Sequence, residues 1–186
     1  MINLYIRRIH DLQDARYCAA IAVKMLSFSV EDHDSKRLRT EQIKEMADWL
    51  SGPEVVIEAS AQTWSKLNNV RFPFTWVSVD SAELPHLTTT ELPLIVRCAA
   101  MPNWSETSLA YRYEFPFDRN RDMDLLMPHL AQSILVLATL SDVAQWIRTQ
   151  PLPYAFSLND NVCDDEGLIN YEQLDAFLEA LEIELN

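Results

Sequence analysis

Eight short apolar runs recur along the chain, and stretches with helical periodicity separate most of them. Runs that are apolar on both faces and alternate with helices are typical of a parallel β-sheet. Eight such runs in 186 residues predict one small (β/α)8 or TIM barrel that spans residues 1–186 as a single α/β domain. The runs are Asn3–Ile9, Lys24–Val30, Val55–Ala59, Thr75–Val79, Leu92–Cys98, Leu109–Phe115, Ser133–Ala138 and Tyr154–Leu158.

The stretches between the runs differ in how strongly they predict helices. Asp11 and Thr40 are suitable N-caps for helices after the first two runs, and Ser141 is one after the seventh. Pro85 and Pro128 interrupt the stretches after the fourth and sixth runs. We therefore expect some of the barrel's helices to be short or missing.

The composition narrows the choice of partner and compartment. A net charge of -13 opposes binding to nucleic acid or to an anionic membrane surface. The three cysteines have no metal-binding spacing and favour a reducing cytoplasm. We find no apolar segment of about 18 residues that could span a bilayer. These features predict a cytoplasmic protein, and nothing in the sequence indicates a metal or a cofactor.

A TIM barrel carries its chemistry at the C-terminal ends of its strands. In this chain several charged residues stand at or near the ends of the runs. In one interpretation they form a site for a polar or zwitterionic small molecule, with Glu114 or Asp80 as acid or base. In the other they form a salt-bridged plug that fills a disused pocket, and the tendency of buried opposite charges to pair favours it. The residues are Arg7, Glu58, Asp80, Arg97 and Glu114.

Several of these residues lie in segments that resemble a known family. Tyr5-Ile6-Arg7-Arg8-Ile9-His10 resembles the Lys-x-Cys-Gly-Ile-Thr opening of phosphoribosylanthranilate isomerases, which are TIM-barrel enzymes of tryptophan biosynthesis. The similarity continues in order along most of the chain. Further matching segments are Ser35-Lys36-Arg37, Val77-Ser78-Val79-Asp80-Ser81, Leu137-Ala138-Thr139-Leu140 and Gly167-Leu168-Ile169-Asn170. The resemblance implies the same fold and makes Arg37 a candidate contact for a ligand anion.

The same resemblance exposes a departure at the catalytic positions. The family's isomerisation requires a cysteine base after the first strand and an aspartic acid at the end of the sixth. Arg7 stands at the position of the cysteine, and an arginine stays protonated at any working pH. Glu114 stands closest to the position of the acid. Only one half of the catalytic pair is therefore retained.

The resemblance also implies phosphate binding, but the glycines that this binding uses are absent from the chain. The family's phosphate loops after strands seven and eight contain glycines at the positions of Ala138, Thr139 and Asn159. Side chains there would crowd the backbone amides that hold a phosphate, and Asp160 adds a like charge. We therefore expect the phosphate sites to be lost.

These observations predict a divergent phosphoribosylanthranilate isomerase-like barrel that has lost the isomerase reaction. It would act as a binding or interaction protein, or on an unidentified ligand. The alternative is an isomerase or lyase that acts on a small polar metabolite with Glu114 and Asp80, and retained phosphoribosylanthranilate isomerase activity is included in it. The expected ligand site is the C-terminal barrel mouth. Whether the protein forms a homodimer is left open by the sequence. The candidate ligand-binding residues are Arg7, Arg37, Glu58 and Arg97.

Overall fold

Eight parallel strands close into a barrel, which confirms the predicted fold. The computed structural model describes residues 2–31, 37–67, 74–87, 91–118, 123–158, 162–163 and 169–185, and the side chains among them up to residue 180. The strands pair in chain order, and the last pairs with the first. They are β1 (Leu4–Ile6), β2 (Met25–Ser29), β3 (Glu54–Glu58), β4 (Trp76–Asp80), β5 (Leu94–Arg97), β6 (Arg112–Pro116), β7 (Ser133–Val136) and β8 (Ala155–Leu158).

The helical segments are uneven in length, as the two prolines predict. Among the described residues, short 3-10 segments follow β4 and β5, and a one-turn helix with a 3-10 segment follows β6. No helix in the described part of the chain is long and apolar enough to cross a membrane. The α-helices are α1 (Leu12–Ala20), α2 (Thr40–Asp48), α3 (Ala61–Leu67), α4 (Met123–Leu126), α5 (Leu140–Thr149) and α6 (Tyr171–Leu185); the 3-10 segments are Ser81–His86, Trp104–Glu106 and Met127–Gln132.

Three boundaries differ from the sequence expectation. The N-cap of α2 is Arg39, and Thr40, which the sequence predicts as the cap, is the first residue of the helix. The N-cap of α5 is Thr139, whose side chain accepts a hydrogen bond from the backbone N–H of Asp142, and Ser141 lies inside the helix. The sixth strand begins at Arg112, because Leu109 lies exposed in the preceding turn. These shifts are small and leave the order of elements unchanged.

Alternate residues of each strand face the barrel interior, as the period of a β-strand requires. The outward-facing strand residues pack under the helices in a large apolar core. The inward-facing apolar residues form a separate cluster consisting of Tyr5, Met25, Val56, Ile95, Ile134 and Ala155. This cluster fills the middle of the barrel and forms the base on which the C-terminal mouth rests.

The opposite, N-terminal end of the barrel is closed by aromatic and charged side chains. The Arg112 guanidinium lies over the Tyr154 ring at 4.5 Å and near the Trp76 ring at 5.8 Å. The indole N–H of Trp76 donates to Glu54 Oε2 at 2.6 Å, and Lys24 pairs with Glu54. Cation–π and ion-pair contacts thus occupy this end, and a TIM barrel carries its chemistry at the other one.

Candidate functional site at the barrel mouth

The strand ends bring five of the predicted site residues to one mouth. Glu58, Asp80 and Arg97 are the last residues of β3, β4 and β5, and Arg7 directly follows β1. Asp80 pairs in register with Arg97, and Arg97 pairs with Glu114 of β6. The strand-end argument made from the sequence therefore located these residues correctly.

Glu58 is the centre of the charge network. Its carboxylate accepts two hydrogen bonds from Arg7, at 2.9 Å from Nε and 2.7 Å from Nη2, and one from Arg97 Nη1 at 2.6 Å. Ser27 Oγ donates to the same carboxylate at 2.5 Å. Burial alone would raise the pKa of Glu58, but the two guanidiniums outweigh it and lower the pKa to about 2. Glu58 is therefore a buried, fully charged acceptor.

Glu114 lies in the same layer of the barrel as Glu58, but its surroundings shift its pKa in the opposite direction. Its Oε1 accepts from Ser157 Oγ at 2.6 Å and lies 3.4 Å from Arg7 Nη1. Its Oε2 is buried and has no hydrogen-bond partner among the described residues. Burial raises the pKa of Glu114 above its ordinary value despite the Arg7 charge. The carboxyl group therefore favours its neutral form more than an exposed glutamate does.

The ion pairs form a continuous network across the mouth. Arg7 links Glu58 to Glu114, and Arg97 links Glu58 to Asp80 through a 3.0 Å contact. Arg7 thus pairs across the barrel with carboxylates of β3 and β6. Burial lowers the pKa of Arg7, but the Glu114 and Glu58 carboxylates more than compensate and raise it well above its ordinary value. Arg7 is therefore a permanent cation and cannot accept a proton.

A cavity of about 390 Å³ opens above this network. This volume is within the usual range for small-molecule sites, roughly 300–1,000 Å³. Asp80 lines the cavity, whereas Glu114 is not among the described residues that do. The lining residues are Arg7, Arg8, Ser29, Glu31, Glu58, Ser60, Asp80, Glu83, Arg97, Cys98 and Ala99.

One wall of the cavity is acidic and adjoins the start of α3. Glu31 accepts hydrogen bonds from the backbone N–H of Ser60 and, at 3.3 Å, from Thr63 Oγ1. Glu83 Oε2 accepts from the backbone N–H of Ala61 at 3.1 Å. These carboxylates satisfy amides that begin the helix. Sequence reasoning missed Glu31 as a site residue, although its position one residue after the second run was a usable signal.

Arg8, also missed as a site residue, occupies an unusual backbone conformation. Its φ is 58°, in the left-handed region that favours glycine. Its backbone N–H donates to Ser27 Oγ at 3.0 Å, and its side chain is 45% exposed. The motif that the first strand resembles has glycine at this position. Arg8 lines the cavity in spite of the strain.

Arg37 does not join this group. It is exposed, lies just before α2, and is not among the described residues that line the cavity. Ser35 and Lys36, which belong to the same matching segment, lie outside the described residues. Its role as an anion contact stays a prediction.

The amide after β7 is already bonded to a carboxylate of this chain. The backbone N–H of Thr139 donates to Asp142 Oδ2 at 3.0 Å as part of a capping box. A second cavity, of about 730 Å³, lies beside it, and its described lining contains two acids and no base. Its lining residues are Phe117, Asp118, Leu137, Ala138, Asp142, Gln145 and Trp146. The other expected phosphate position, Asn159, and the neighbouring Asp160 lie outside the described residues.

One group of side chains near the end of β1 has the residue types of a metal site. His10 Nε2 lies 3.7 Å from Asp11 Oδ2, and His10 Nδ1 lies 3.9 Å from Asp14 Oδ2. The other oxygens of these carboxylates have partners: Asp11 Oδ1 accepts from the Asp14 N–H, and Asp14 Oδ1 accepts from Tyr171. Because the two imidazole nitrogens face different carboxylates, the arrangement suits an imidazole held between two acids.

Comparison with known proteins gives a consistent result for the fold. No protein-family model matches the chain, and no curated protein matches its sequence. Phosphoribosyl anthranilate isomerase from Thermus thermophilus matches in structure with a TM-score of 0.75 and 17% identity over 100% of both chains. The N-(5'-phosphoribosyl)anthranilate isomerase of Pyrococcus furiosus matches with a TM-score of 0.76 and 14% identity over 98% of this chain and 99% of that one.

A barrel with a different name also matches, which limits what the fold implies. Phospho-2-dehydro-3-deoxyheptonate aldolase from Thermotoga maritima has a TM-score of 0.66 and 9% identity over 97% of this chain and 68% of that chain. One barrel architecture serves many reactions, so the shared fold by itself assigns none. The chain has the TIM-barrel fold of phosphoribosylanthranilate isomerases and is divergent from them in sequence, with 17% identity to the Thermus thermophilus protein and 14% to the Pyrococcus furiosus protein.

Proposed function

We propose that this protein is a divergent isomerase-like barrel that does not isomerise phosphoribosylanthranilate and instead binds a small polar ligand at its mouth. The observation that carries the proposal is the two-pronged ion pair between Arg7 and Glu58, at 2.9 and 2.7 Å. It supports the loss of the reaction, because Arg7, a paired cation, stands where the resembled motif has its catalytic base.

The position of Glu114 supports the loss of the reaction. An Amadori-type isomerisation needs an acid and a base on either side of the substrate. Glu114 is 2% exposed, is bonded to Ser157 and Arg7, and is absent from the described lining of the cavity. A carboxyl group that does not reach the cavity has no direct route for protonating a ligand there.

The acidic surroundings of the β7 loop support the absence of a phosphoribosyl substrate. Asp142 accepts the Thr139 N–H that would otherwise face an anion. At about 4 Å and an effective dielectric of about 20, a phosphate charge and this carboxylate would repel by roughly 4 kcal/mol. Phosphate binding at this amide would first require the capping interaction to break.

The cavity itself supports binding of a small polar molecule. Guanidiniums and carboxylates line it together, so its walls can hold groups of either sign. Its volume of about 390 Å³ suits a metabolite and is too small for a folded protein segment. A ligand-binding role therefore uses what the mouth offers without requiring the missing base.

The test is the isomerase reaction itself. The chain is expressed in a bacterial strain that lacks phosphoribosylanthranilate isomerase, and growth without tryptophan is scored. The Thermus thermophilus enzyme serves as the positive control. We expect no growth, and we expect purified protein to convert no phosphoribosylanthranilate. Growth that depends on the intact chain would refute the proposal.

The second candidate is an isomerase or lyase that uses Glu114 and Asp80. The raised pKa of Glu114 favours it, because a general acid must hold its proton near neutral pH. Asp80 is exposed and lines the cavity, so the two carboxyl groups differ in environment. If the chain supports growth and Glu114→Gln abolishes it while the protein stays folded, this second candidate replaces the first.

A further inference from the structure

We infer that the interior of the barrel has a binding site for a buried water molecule, which bridges the carboxyl group of Glu114 to the hydroxyl group of Ser78. This site is separate from the cavity at the mouth, because neither residue is among the described residues that line that cavity. It therefore goes beyond the proposed ligand-binding function and does not depend on it.

Glu114 and Ser78 each carry a buried polar atom that needs a hydrogen-bond partner. Glu114 Oε2 and Ser78 Oγ have none among the described residues, and the two residues are 2% and 0% exposed. The other oxygen of Glu114 is already bonded to Ser157 and Arg7. Buried polar groups in folded proteins are nearly always hydrogen-bonded, either to protein or to an ordered water. A water between the two groups would satisfy both atoms.

The strands direct both side chains into the same interior space. Ser78 lies between Val77 and Val79 on β4, and both valines belong to the outer core under the helices, so Ser78 faces inward. Glu114 lies in the same way between two outer-core residues of β6. Only β5 separates the two strands. Strands two apart in a curved sheet are roughly 9 Å apart, a gap that a glutamate, a serine and one water can span.

The interior has room for a water at this position. Ser27 and Ser157 also face inward, two residues beyond Met25 and Ala155 of the central apolar cluster. Bulky branched residues fill the interior of most TIM barrels. The even-numbered strands instead place three serines here, with Glu114 as the one long side chain among them. Reduced side-chain volume and polar walls are the two conditions that a buried water needs.

The charges near the site favour a neutral water over a cation. Arg7 Nη1 lies 3.4 Å from Glu114 Oε1, so a positive charge already adjoins this carboxyl group. Burial raises the pKa of Glu114, and a neutral carboxyl group offers a proton that a water accepts. The Tyr5 hydroxyl interacts with Ser27 but makes no hydrogen bond of normal geometry with a described residue. Tyr5 also lies within electrostatic range of Glu114 and is a candidate third partner of the water.

Crystallography at high resolution tests the site directly. In the wild type we expect one ordered water within about 2.6–3.2 Å of both Glu114 Oε2 and Ser78 Oγ. In Ser78→Val the added methyl groups should displace it. A crystal soaked in rubidium chloride should show no anomalous peak at this position. A dry site in the wild type overturns the inferred water, and a rubidium peak would show that the site binds a cation instead.

Thermal unfolding is a second, independent test, because the sign of the effect depends on the water. If a water bonds to the Ser78 hydroxyl, Ser78→Ala removes a hydrogen bond and should lower the melting temperature by roughly 2–4 °C. If the hydroxyl has no partner, the same change removes an unsatisfied buried group and should raise the melting temperature.

Ser133→Ala is the matched control for the loss of a buried serine hydroxyl. Ser133 is as buried as Ser78, and its hydroxyl donates to His129 O at 2.9 Å. Its replacement therefore shows how far the melting temperature falls when one such hydrogen bond is lost. We expect a decrease of similar size for Ser78→Ala. A melting temperature of Ser78→Ala equal to or above that of the wild type overturns the inferred bridge.

Discussion

At the residue scale, two glutamates in one layer of the barrel have opposite electrostatic environments. Glu58 has two guanidinium partners and a hydroxyl donor, and its pKa falls to about 2. Glu114 is equally buried, but one of its oxygens has no partner among the described residues, and its pKa rises. The difference lies in the number of hydrogen-bond donors that reach each carboxylate, which the sequence does not reveal.

The network predicts a large stability loss when Arg7 is removed. Arg7→Ala takes the two-pronged partner from Glu58 and leaves a buried charge with Arg97, Ser27 and, at 3.8 Å, Arg8. Losing one partner of a buried pair costs about 3–5 kcal/mol, and we expect the lower end because Arg97 stays. Urea unfolding gives the free energy, and Lys44→Ala on the exposed face of α2 is the control, with a change within about 0.5 kcal/mol. A loss below about 0.5 kcal/mol for Arg7→Ala would contradict a stabilising role for the Arg7–Glu58 pair.

The two glutamates also predict opposite pH dependence. The folded-state pKa of Glu58 is lowered. Its ionised carboxylate therefore stabilises the fold above about pH 4.5, and this stabilisation is lost as the pH falls towards 2. Glu58→Gln should cost about 3 kcal/mol at pH 7 and much less at pH 2.5. Because the pKa of Glu114 is raised, its charged form destabilises the fold at neutral pH. Glu114→Gln should therefore stabilise at pH 7, with a gain that fades towards pH 4.5.

Unfolding of both variants and the wild type between pH 2.5 and 7.5 measures these effects. Each glutamine keeps an acceptor for the hydroxyl donor, Ser27 or Ser157, so the comparison isolates the charge. Parallel pH profiles for the two variants would contradict the assignment of opposite environments.

At the scale of the element, α5 depends on its N-terminal capping box. Thr139 Oγ1 accepts from the Asp142 N–H at 3.1 Å, and Asp142 Oδ2 accepts from the Thr139 N–H at 3.0 Å. Thr139→Ala should destabilise the protein by about 1 kcal/mol. The neighbouring Ser141→Ala is the control and should change stability by less than about 0.5 kcal/mol. If urea unfolding gives a larger stability loss for Ser141→Ala than for Thr139→Ala, Ser141 is the cap instead.

The strands were predictable from the sequence because parallel strands are buried on both faces and therefore read as continuous apolar runs. Boundaries were less predictable where a large apolar residue is exposed, as Leu109 is. The cap of α5 was also missed, because Thr139 and Ser141 are both good capping residues and only the backbone decides between them. The strong pattern fixes each element's type, while its ends depend on local contacts.

At the scale of the molecule, closure of the barrel explains how much of the site could be predicted. Residues that end parallel strands must meet at one mouth, so Arg7, Glu58 and Arg97 could be grouped before any contact was seen. How deep each side chain lies in the barrel could not be predicted in this way. Arg8 lines the cavity, whereas Glu114 is not among the described residues that do. Depth depends on the stagger of the strands and on the turn after β1, and both are properties of the closed structure.

The net charge of -13 makes a last prediction that concerns the whole molecule. Self-repulsion of a strongly charged surface destabilises the compact state, and salt screens it as the Debye length falls from about 10 Å at 0.1 M to about 3 Å at 1 M. Raising NaCl from 0.05 to 0.5 M should therefore increase the melting temperature. The buried Arg7–Glu58 pair is screened far less, so the stability difference between wild type and Arg7→Ala should stay nearly constant across this range. A melting temperature that falls with salt would mean that attractive surface pairs outweigh the net repulsion.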